Sequence, residues 1–150
     1  MSTQAEELWL ENQICFPIYA VSRMVTKLYT PLLDRLDITY PQYLVLLVLW
    51  QKDHRSVSDI SDLLFLESNT LTPLLKRMEG KGLIQRQRSA EDERRVLVSL
   101  TQVGEALKED ARCIPMEIIQ RFRSDDISLE DVQQFKATLG KMMQLFSHVG

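Results

Sequence analysis

Two apolar heptad patterns, one near each end of the chain, constrain most strongly how this sequence can fold. In the first, apolar residues recur at alternating spacings of four and three: Ile14, Ile18, Val21, Val25, Leu28 and Leu32. In the second, the alternation starts with three: Val132, Phe135, Leu139, Met142, Phe146 and Val149. This periodicity is typical of helices that pack lengthwise on other helices. Packing within one chain would satisfy it, but we favour a homodimer joined by these terminal helices, because the middle of the chain supplies its own core residues.

The bulk composition is that of an ordinary globular protein. The chain has 150 residues, which suits one domain with a sizeable core. Its start is acidic and does not resemble a secretory signal. The longest apolar run, "YLVLLVLW" at residues 43–50, is too short to span a bilayer. Two cysteines do not form a disulfide framework in a chain of this length, so we expect a cytoplasmic protein.

The segment from residue 39 to residue 100 predicts a lobe of helices that ends in a hairpin. Thr39 and Gln42 fit a capping box before a buried helix, and Ser56 and Asp59 fit another before a short one. The intervening "QKDHRS" is expected to be a loop. A fourth helix follows through "NTLTPLLKRMEGKG", with an apolar face formed by Leu71, Leu74, Leu75 and Met78. The alternation in "LIQRQRS" and "RVLVSL" then predicts a charged two-stranded hairpin.

The last third of the chain is expected to be helical again. Thr101 would cap a fifth helix kinked at Pro115, and Ser128 would cap a sixth. The fold class is therefore mainly α, with about six helices and a small β-hairpin wing, in one domain over residues 1–150. Residues 12–36 and 101–149 would form the dimerisation helices, and residues 39–100 a winged helix-turn-helix lobe that binds DNA.

Positive charge is concentrated where such a lobe would meet DNA. Residues 76–95 hold seven basic and four acidic side chains, although the whole chain has a net charge of −3. The second helix of the motif reads base edges and phosphates, and the hairpin tip places an arginine in the minor groove. An ordinary solvated face would explain any one of these charges, but it explains the combination poorly. The predicted DNA-binding residues, with Asp92 expected to hold Arg94, are Ser68, Asn69, Thr70, Thr72, Lys76, Arg77, Arg86, Asp92, Arg94 and Arg95.

Three stretches of the sequence resemble a known family. "ENQICFPIYA", "ITYPQY" and "LTPLLKRMEGKGLIQRQRSAEDERRVLVSLT" closely resemble the organic-hydroperoxide-responsive repressors of the MarR family, and the resemblance covers nearly the whole chain. "DERRVLVSLT" alone marks any MarR-type wing, whereas "NQICFPIYA" with "ITYPQY" is more specific to the peroxide-sensing branch. The resemblance implies a homodimeric winged-helix repressor that binds a pseudo-palindromic DNA operator. It also implies that oxidation of one cysteine by an organic hydroperoxide releases the operator.

Cys15 is the candidate redox-sensing residue. A lone cysteine in an apolar segment is more often a packing residue. However, Cys15 lies near a helix start, whose partial positive charge favours a thiolate, and it flanks the first heptad pattern one turn from Tyr19. Tyr29 is roughly 21 Å further along a straight helix, so it can approach Cys15 only from a partner subunit. The resemblance implies that Tyr29 and Tyr40 of one subunit bond the cysteine of the other, in a sensor pocket of Phe16, Tyr19, Tyr29 and Tyr40.

Two other functions remain open for these residues. A MarR-type repressor released by a non-covalent aromatic or phenolic ligand would leave Cys15 incidental. A thiol peroxidase would need a cation and a resolving cysteine beside Cys15, and the sequence places neither there, so we expect no enzyme. We expect no metal site, because His54 and His148 are isolated in the sequence. We also expect no cofactor, because the sequence has no glycine-rich phosphate loop. Cys113 precedes Pro115, whereas some relatives carry a resolving cysteine after it, so we expect a packing role for Cys113 and an external low-molecular-weight thiol as partner.

Overall fold

The computed structural model describes residues 3–149, which fall into two compact units. The first unit ends at Tyr40. It contains helix α1 (Thr3–Glu6), a 3₁₀ helix (Leu10–Asn12) and the long helix α2 (Cys15–Asp34). Because Pro17 is the third residue of α2, its missing N–H breaks no intrahelical bond. The predicted first helix is confirmed, although it begins at Cys15 rather than near residue 12.

The second unit, from Pro41 onward, contains most of the helices and a small sheet. Its first helix, α3 (Tyr40–Gln51), begins one residue before the unit itself. The elements that follow are β1 (Arg55–Ser56), α4 (Val57–Leu64), α5 (Ser68–Gly80), β2 (Ile84–Arg88), β3 (Val96–Leu100), α6 (Gln102–Ala111), α7 (Ile114–Phe122) and α8 (Leu129–Phe146). The mainly α fold with a β wing is confirmed. None of the helices in residues 3–149 is both long and apolar enough to cross a membrane.

The wing has one strand more than the sequence predicts. Strands β2 and β3 form the expected antiparallel hairpin, with Ile84 opposite Leu100. Arg55 and Ser56, expected to lie in a loop, pair with the other edge of β3 and give the strand order β1-β3-β2. A strand of two residues is too short to show an alternation of apolar and polar side chains in the sequence. It forms only because it pairs with a distant part of the chain.

The predicted fifth helix is two helices. Helix α6 ends at Ala111, and α7 begins at Ile114 with Pro115 in its first turn. Proline in a helix interior removes a hydrogen bond and clashes with the preceding turn, whereas at a helix start it costs nothing. One helix therefore ends before Pro115, a new helix begins at Ile114, and the expected kink does not form.

Ser56, Thr101 and Ser128 cap helices where the sequence predicts them. The Ser56 side chain accepts the backbone N–H of Asp59, and the Asp59 carboxylate accepts the backbone N–H of Ser56, which completes a capping box for α4. Ser128 and Asp131 form the same arrangement for α8. Such caps satisfy backbone N–H groups that a helix leaves without partners, and they fix where each helix begins.

The core of the second unit lies between the inner faces of α3, α4 and α5 and the sheet. Its fully buried side chains include Val45, Leu46, Leu49, Ile60, Leu71, Leu75, Met78, Ile84 and Val98. The predicted apolar face of α5 is among them, so the opposite face of this helix points away from the core. Helix α8, in contrast, buries none of its residues within the single chain.

Gly104 marks a close approach of two backbones in the second unit. It lies in the first turn of α6, where its N–H is accepted by the Thr101 side chain and its carbonyl accepts Trp50 Nε1 at 3.0 Å. A Cβ atom at this position would collide with the backbone carbonyl of Leu83. Only glycine therefore allows α6 to pack at this distance from the residue that precedes β2.

We expect Gly104→Ala to lower the free energy of unfolding by about 3 kcal/mol, the upper end of overpacking costs, because Leu83 is fixed by backbone bonds and cannot yield easily. Chemical denaturation measures the change. Gly80→Ala is the matched control, since a Cβ atom there has no neighbour within 4 Å. A Gly104→Ala variant as stable as the Gly80→Ala variant would contradict the proposed close approach.

Candidate nucleic-acid interface and cysteine site

Helix α5 presents a polar face to solvent because its apolar face is buried. Leu71, Leu74, Leu75 and Met78 are all at most 4% exposed. The predicted recognition residues on the other side, Ser68, Asn69, Thr70, Lys76 and Arg77, are exposed, and Thr72 is half-buried. The structure thus gathers these hydroxyl, amide and basic groups on one helix face, which is the arrangement needed to contact base edges and phosphates.

The turn between α4 and α5 depends on a residue that the sequence pattern does not reveal. Phe65 ends α4 in the left-handed conformation, with φ 54° and ψ 37°. Its N–H and that of Leu66 are accepted by backbone carbonyls of the last turn of α4, and the Ser61 hydroxyl donates to the Leu66 carbonyl. A non-glycine residue in this conformation costs roughly 1–2 kcal/mol. The tight helix-turn-helix angle is therefore maintained by local hydrogen bonds that offset this strain.

The tip of the wing is shaped by its own polar side chains. The Ser89 hydroxyl accepts the N–H groups of Glu91 and Asp92, and the Asp92 carboxylate accepts the backbone N–H of Arg94 at 3.0 Å. We expected Asp92 to hold Arg94 in position, and the contact that the structure shows fixes the main chain of Arg94, because a carboxylate two residues before an N–H forms a local turn of this kind readily. Arg94 itself is exposed at the tip.

A concave surface separates the helix pair from the wing. This open cavity of about 580 Å³ lies between α4, α5 and the strands, and its polar lining residues include Ser58, Asp59, Ser68, Thr72, Arg86, Arg94 and Arg95. Arg95 lies across it, with its guanidinium 3.8 Å from the carboxylate of Asp59. All seven of these polar residues come from the start of α4, the polar face of α5 and the arginines of the wing.

Arg86 is held inside the lobe rather than presented to solvent. Its side chain is only 21% exposed, and its Nη2 atom lies 3.1 Å from Glu79 Oε1. The second oxygen of Glu79 accepts the Arg86 backbone N–H at 2.8 Å. These two bonds, and then the positive charge of Arg86, hold the pKa of Glu79 below its usual value against a smaller opposing effect of desolvation. Among the ten predicted DNA-binding residues, Arg86 is therefore the one whose charge is most completely neutralised within the lobe.

The predicted cysteine site divides into two parts within one chain. Cys15, the first residue of α2, is exposed, and the neighbouring Phe16 and Tyr19 are 41% and 61% exposed. The guanidinium of Arg23 lies over the Tyr19 ring at 5.6 Å, so positions 15, 19 and 23 share one face of the helix. We expected no cation beside Cys15 and did not foresee this contact between Arg23 and Tyr19, which their i, i+4 spacing could have revealed.

The other part of the site is a pair of tyrosines. The rings of Tyr29 and Tyr40 are 4.7 Å apart at an interplanar angle of 49°. Burial raises the pKa of Tyr40 and keeps its phenol protonated. Because α2 is continuous from Cys15 to Asp34, Tyr29 lies roughly 21 Å along the helix from Cys15. The single chain brings the two tyrosines together but leaves them far from its own cysteine.

Comparison with known proteins supports the interpretation of this surface. The family model for the transcriptional regulators SarA and Rot matches residues 27–111. The organic hydroperoxide resistance transcriptional regulator of Bacillus subtilis (strain 168) is 50% identical over 144 residues, which cover 96% of each protein. Among solved structures, reduced AbfR bound to DNA is similar, with a TM-score of 0.77, 35% identity and 96% coverage of both chains. The disulfide form of AbfR, a protein of Staphylococcus epidermidis, has a TM-score of 0.61 at 35% identity and covers 93% of this chain and 96% of its own.

The fold and the polar face of α5 thus define a DNA-binding transcriptional regulator of the winged-helix class. Within that class, the chain belongs to the MarR-like SarA/Rot family and is a regulator of the organic hydroperoxide resistance type.

We expect Asp59→Asn to lower the melting temperature at neutral pH, and the difference from wild type to shrink as the medium becomes acidic. The pKa of Asp59 is lowered, first by hydrogen bonds from the side chain and the backbone N–H of Ser56 and then by the positive charges of Arg95 and Arg55. A smaller effect of desolvation opposes this shift. A lowered pKa in the folded state stabilises the protein above the unfolded pKa, and this stabilisation is lost as the pH falls through the folded pKa. Thermal melts between neutral and acidic pH measure the effect.

Asp62→Asn is the control for this comparison, since it removes the same charge from an exposed position on the same helix. If the two variants showed the same pH dependence, the capping and ion-pair contacts of Asp59 would have no special role in stability.

Proposed function

We propose that this regulator is a homodimer that senses organic hydroperoxides through Cys15 and releases its operator when Cys15 is oxidised. The observation that carries the proposal is the position of Cys15 as the exposed first residue of α2, beside an exposed apolar helix face. A peroxide can reach the thiol there, and an added oxygen atom would alter contacts at that face. Localisation in the cytoplasm, where thiols stay reduced, suits such a sensor.

The apolar residues that the single chain leaves exposed support a dimer. On α2, Ile18 and Val21 are 39% and 41% exposed, and just before it Ile14 is 83% exposed. On α8, Phe135 and Phe146 are 48% and 57% exposed. These five residues belong to the two heptad patterns, which would be covered if the terminal helices of two subunits packed together.

The local chemistry suits a reactive thiol. A helix start carries a partial positive charge from its unpaired N–H groups, and this charge stabilises an anion such as a thiolate. The exposed apolar side chains of Phe16 and Ile18 flank Cys15 and would favour an alkyl or lipid hydroperoxide over a small polar oxidant.

The tyrosine pair completes the proposed pocket from the other subunit. If the two α2 helices run antiparallel, Tyr29 and Tyr40 of one subunit approach Cys15 of its partner. A phenol O–H donated to sulfur stabilises the thiolate, and burial of Tyr40 keeps that proton on the phenol. Tyr19, one turn from Cys15, would lie at the same pocket from within the chain.

Oxidation then changes the dimer. The thiolate attacks the distal oxygen of the hydroperoxide, the O–O bond breaks, and the alkoxide leaves as an alcohol after taking up a proton, so that sulfur becomes a sulfenic acid. The new oxygen, or a later mixed disulfide with a low-molecular-weight thiol, separates sulfur from the tyrosines. The helices repack, and the two recognition helices depart from the separation of about 34 Å that fits one turn of DNA.

Cumene hydroperoxide should lower the operator affinity of wild type by about 5–150-fold, the usual range for coupling between two sites, and should leave Cys15→Ser unchanged. A DNA-binding assay with intact-mass measurement tests this. Cys113→Ser, which removes the other exposed thiol, should respond like wild type. Release of Cys15→Ser by peroxide would refute the sensor, and release of wild type by an aromatic acid without a mass change would favour a non-covalent ligand.

The shared pocket predicts complementation between subunits. A heterodimer of one Cys15→Ser chain and one Tyr29→Phe chain keeps one complete pocket, because the cysteine of the second chain faces Tyr29 of the first. We expect its single Cys15 to oxidise at the wild-type rate, and Cys15 in the Tyr29→Phe homodimer to oxidise more slowly. Tagged heterodimers followed by mass spectrometry measure both rates. Slow oxidation in the heterodimer would place the tyrosine and cysteine of each pocket in one chain.

A further inference from the structure

We infer that Glu79 is a positioning residue for DNA recognition, which fixes the wing to the recognition helix through Arg86. The inference rests on DNA binding by the reduced protein and does not depend on oxidation of Cys15. It also changes the expected role of Arg86 from a direct DNA contact to part of this connection.

The geometry of the pair is that of a two-point tether. Glu79 is the penultimate residue of α5, and Arg86 is the third residue of β2. One carboxylate oxygen accepts the backbone N–H of Arg86 at 2.8 Å, and the other accepts its Nη2 at 3.1 Å. A carboxylate that binds both the main chain and the guanidinium restrains the position of the strand as well as the side chain.

Burial separates Arg86 from the other basic residues of this surface. Its side chain is 21% exposed, and its Nε atom is buried without a hydrogen-bond partner among the described residues. Lys76, Arg77 and Arg94 are all exposed. A guanidinium that is already paired and largely buried contributes little to the release of counterions from DNA, which depends on charges that reach phosphates.

The tether lies beside the short connection that joins the wing to α5. Only residues 81–83 lie between α5 and β2, and Gly82 among them has a positive φ of 74°. The tip lies about 17 Å beyond the base of β2, so a tilt of about ten degrees would move it by about 3 Å. A displacement of this size would take Arg94 out of a narrow minor groove while leaving the recognition helix in place.

A second contact between wing and helices is weaker. Arg95 lies 3.8 Å from Asp59, but both side chains are about half exposed, and ion pairs of this kind contribute little. Glu79 is thus the better candidate for setting the angle of the wing.

The charge of Glu79 makes the test decisive, because a purely electrostatic role and a positioning role predict opposite changes in operator affinity when that charge is removed. Removing a negative charge near DNA should tighten binding if Glu79 has no other role. If Glu79 positions the wing, Glu79→Gln should instead weaken operator binding by about tenfold. Glu91→Gln is the matched control, since it removes the same charge from the exposed wing tip and should bind as well as wild type or better.

The experiment uses reduced, full-length protein and a duplex selected by wild type from a random pool. Titrations over a range of salt concentrations should give the Glu79→Gln and Arg86→Met variants the same salt slope, because both displace the same wing, whereas loss of a direct phosphate contact from Arg86 in both subunits would lower the slope of Arg86→Met alone by about 2. Hydroxyl-radical footprints should lose protection in the minor groove at the wing and keep protection at the recognition helix. Melting curves confirm that each variant is folded.

The double variant provides a further check. If the two residues act as one unit, Glu79→Gln combined with Arg86→Met should weaken binding no more than either change alone. Arg86→Lys, which retains a charged donor, should recover part of the affinity. Tighter or unchanged binding by folded Glu79→Gln, or a lower salt slope for Arg86→Met than for Glu79→Gln, would overturn the inference.

Discussion

The burial of one face of α5 is the interaction on which the rest of the lobe depends. Four apolar residues of this helix, Leu71, Leu74, Leu75 and Met78, are almost completely removed from solvent. Each fully buried side chain of this size is worth about 1.5–3 kcal/mol relative to an exposed one. This burial fixes the rotation of the helix about its axis, and the rotation decides which hydroxyls, amides and basic groups can reach DNA. Three residues separate the wing from the same helix, so its position depends in part on the same packing.

A different constraint governs the terminal helices. None of the residues of α8 is fully buried in one chain, and the apolar side chains at the start of α2 are largely exposed. The proposed dimer would cover both, so subunit association and the surroundings of Cys15 would have the same physical origin. A sensor built in this way would need no separate ligand-binding domain, because the sulfur of Cys15 would lie beside the contact that holds the two DNA-binding lobes at their spacing.

Local signals in the sequence were sufficient for most of the fold. The capping boxes at Ser56 and Ser128 and the apolar face of α5 are each encoded within a few residues, and the structure confirms them. The features that were missed depend either on a residue far away in the sequence or on two local signals that favour different structures. Strand β1 exists only because β3 lies beside it. The break before Pro115 was misjudged as a kink, although proline near a helix start is a known signal.

The candidate site, too, contains features that local sequence patterns encode and features that they do not. The exposed face of α5 and the position of Cys15 at a helix start follow from periodicity. The pairing of Arg86 with Glu79 does not, because it joins a helix end to a strand across a turn, and nothing in the spacing of the two residues distinguishes a paired arginine from a free one. For a related reason the sequence does not show which group of Arg94 donates to the Asp92 carboxylate, since sequence alone does not separate a backbone donor from a side-chain donor.

The close approach at Gly104 has a consequence for how this protein can change over time. Every single-nucleotide change that replaces a glycine codon introduces a side chain with at least one carbon more, and the space beside the Leu83 carbonyl admits none. No one-step mutational path therefore leads away from glycine at this position while the backbone stays where it is. Variation in the contact between α6 and the base of the wing must begin elsewhere, for example at Trp50, whose indole spans the same junction.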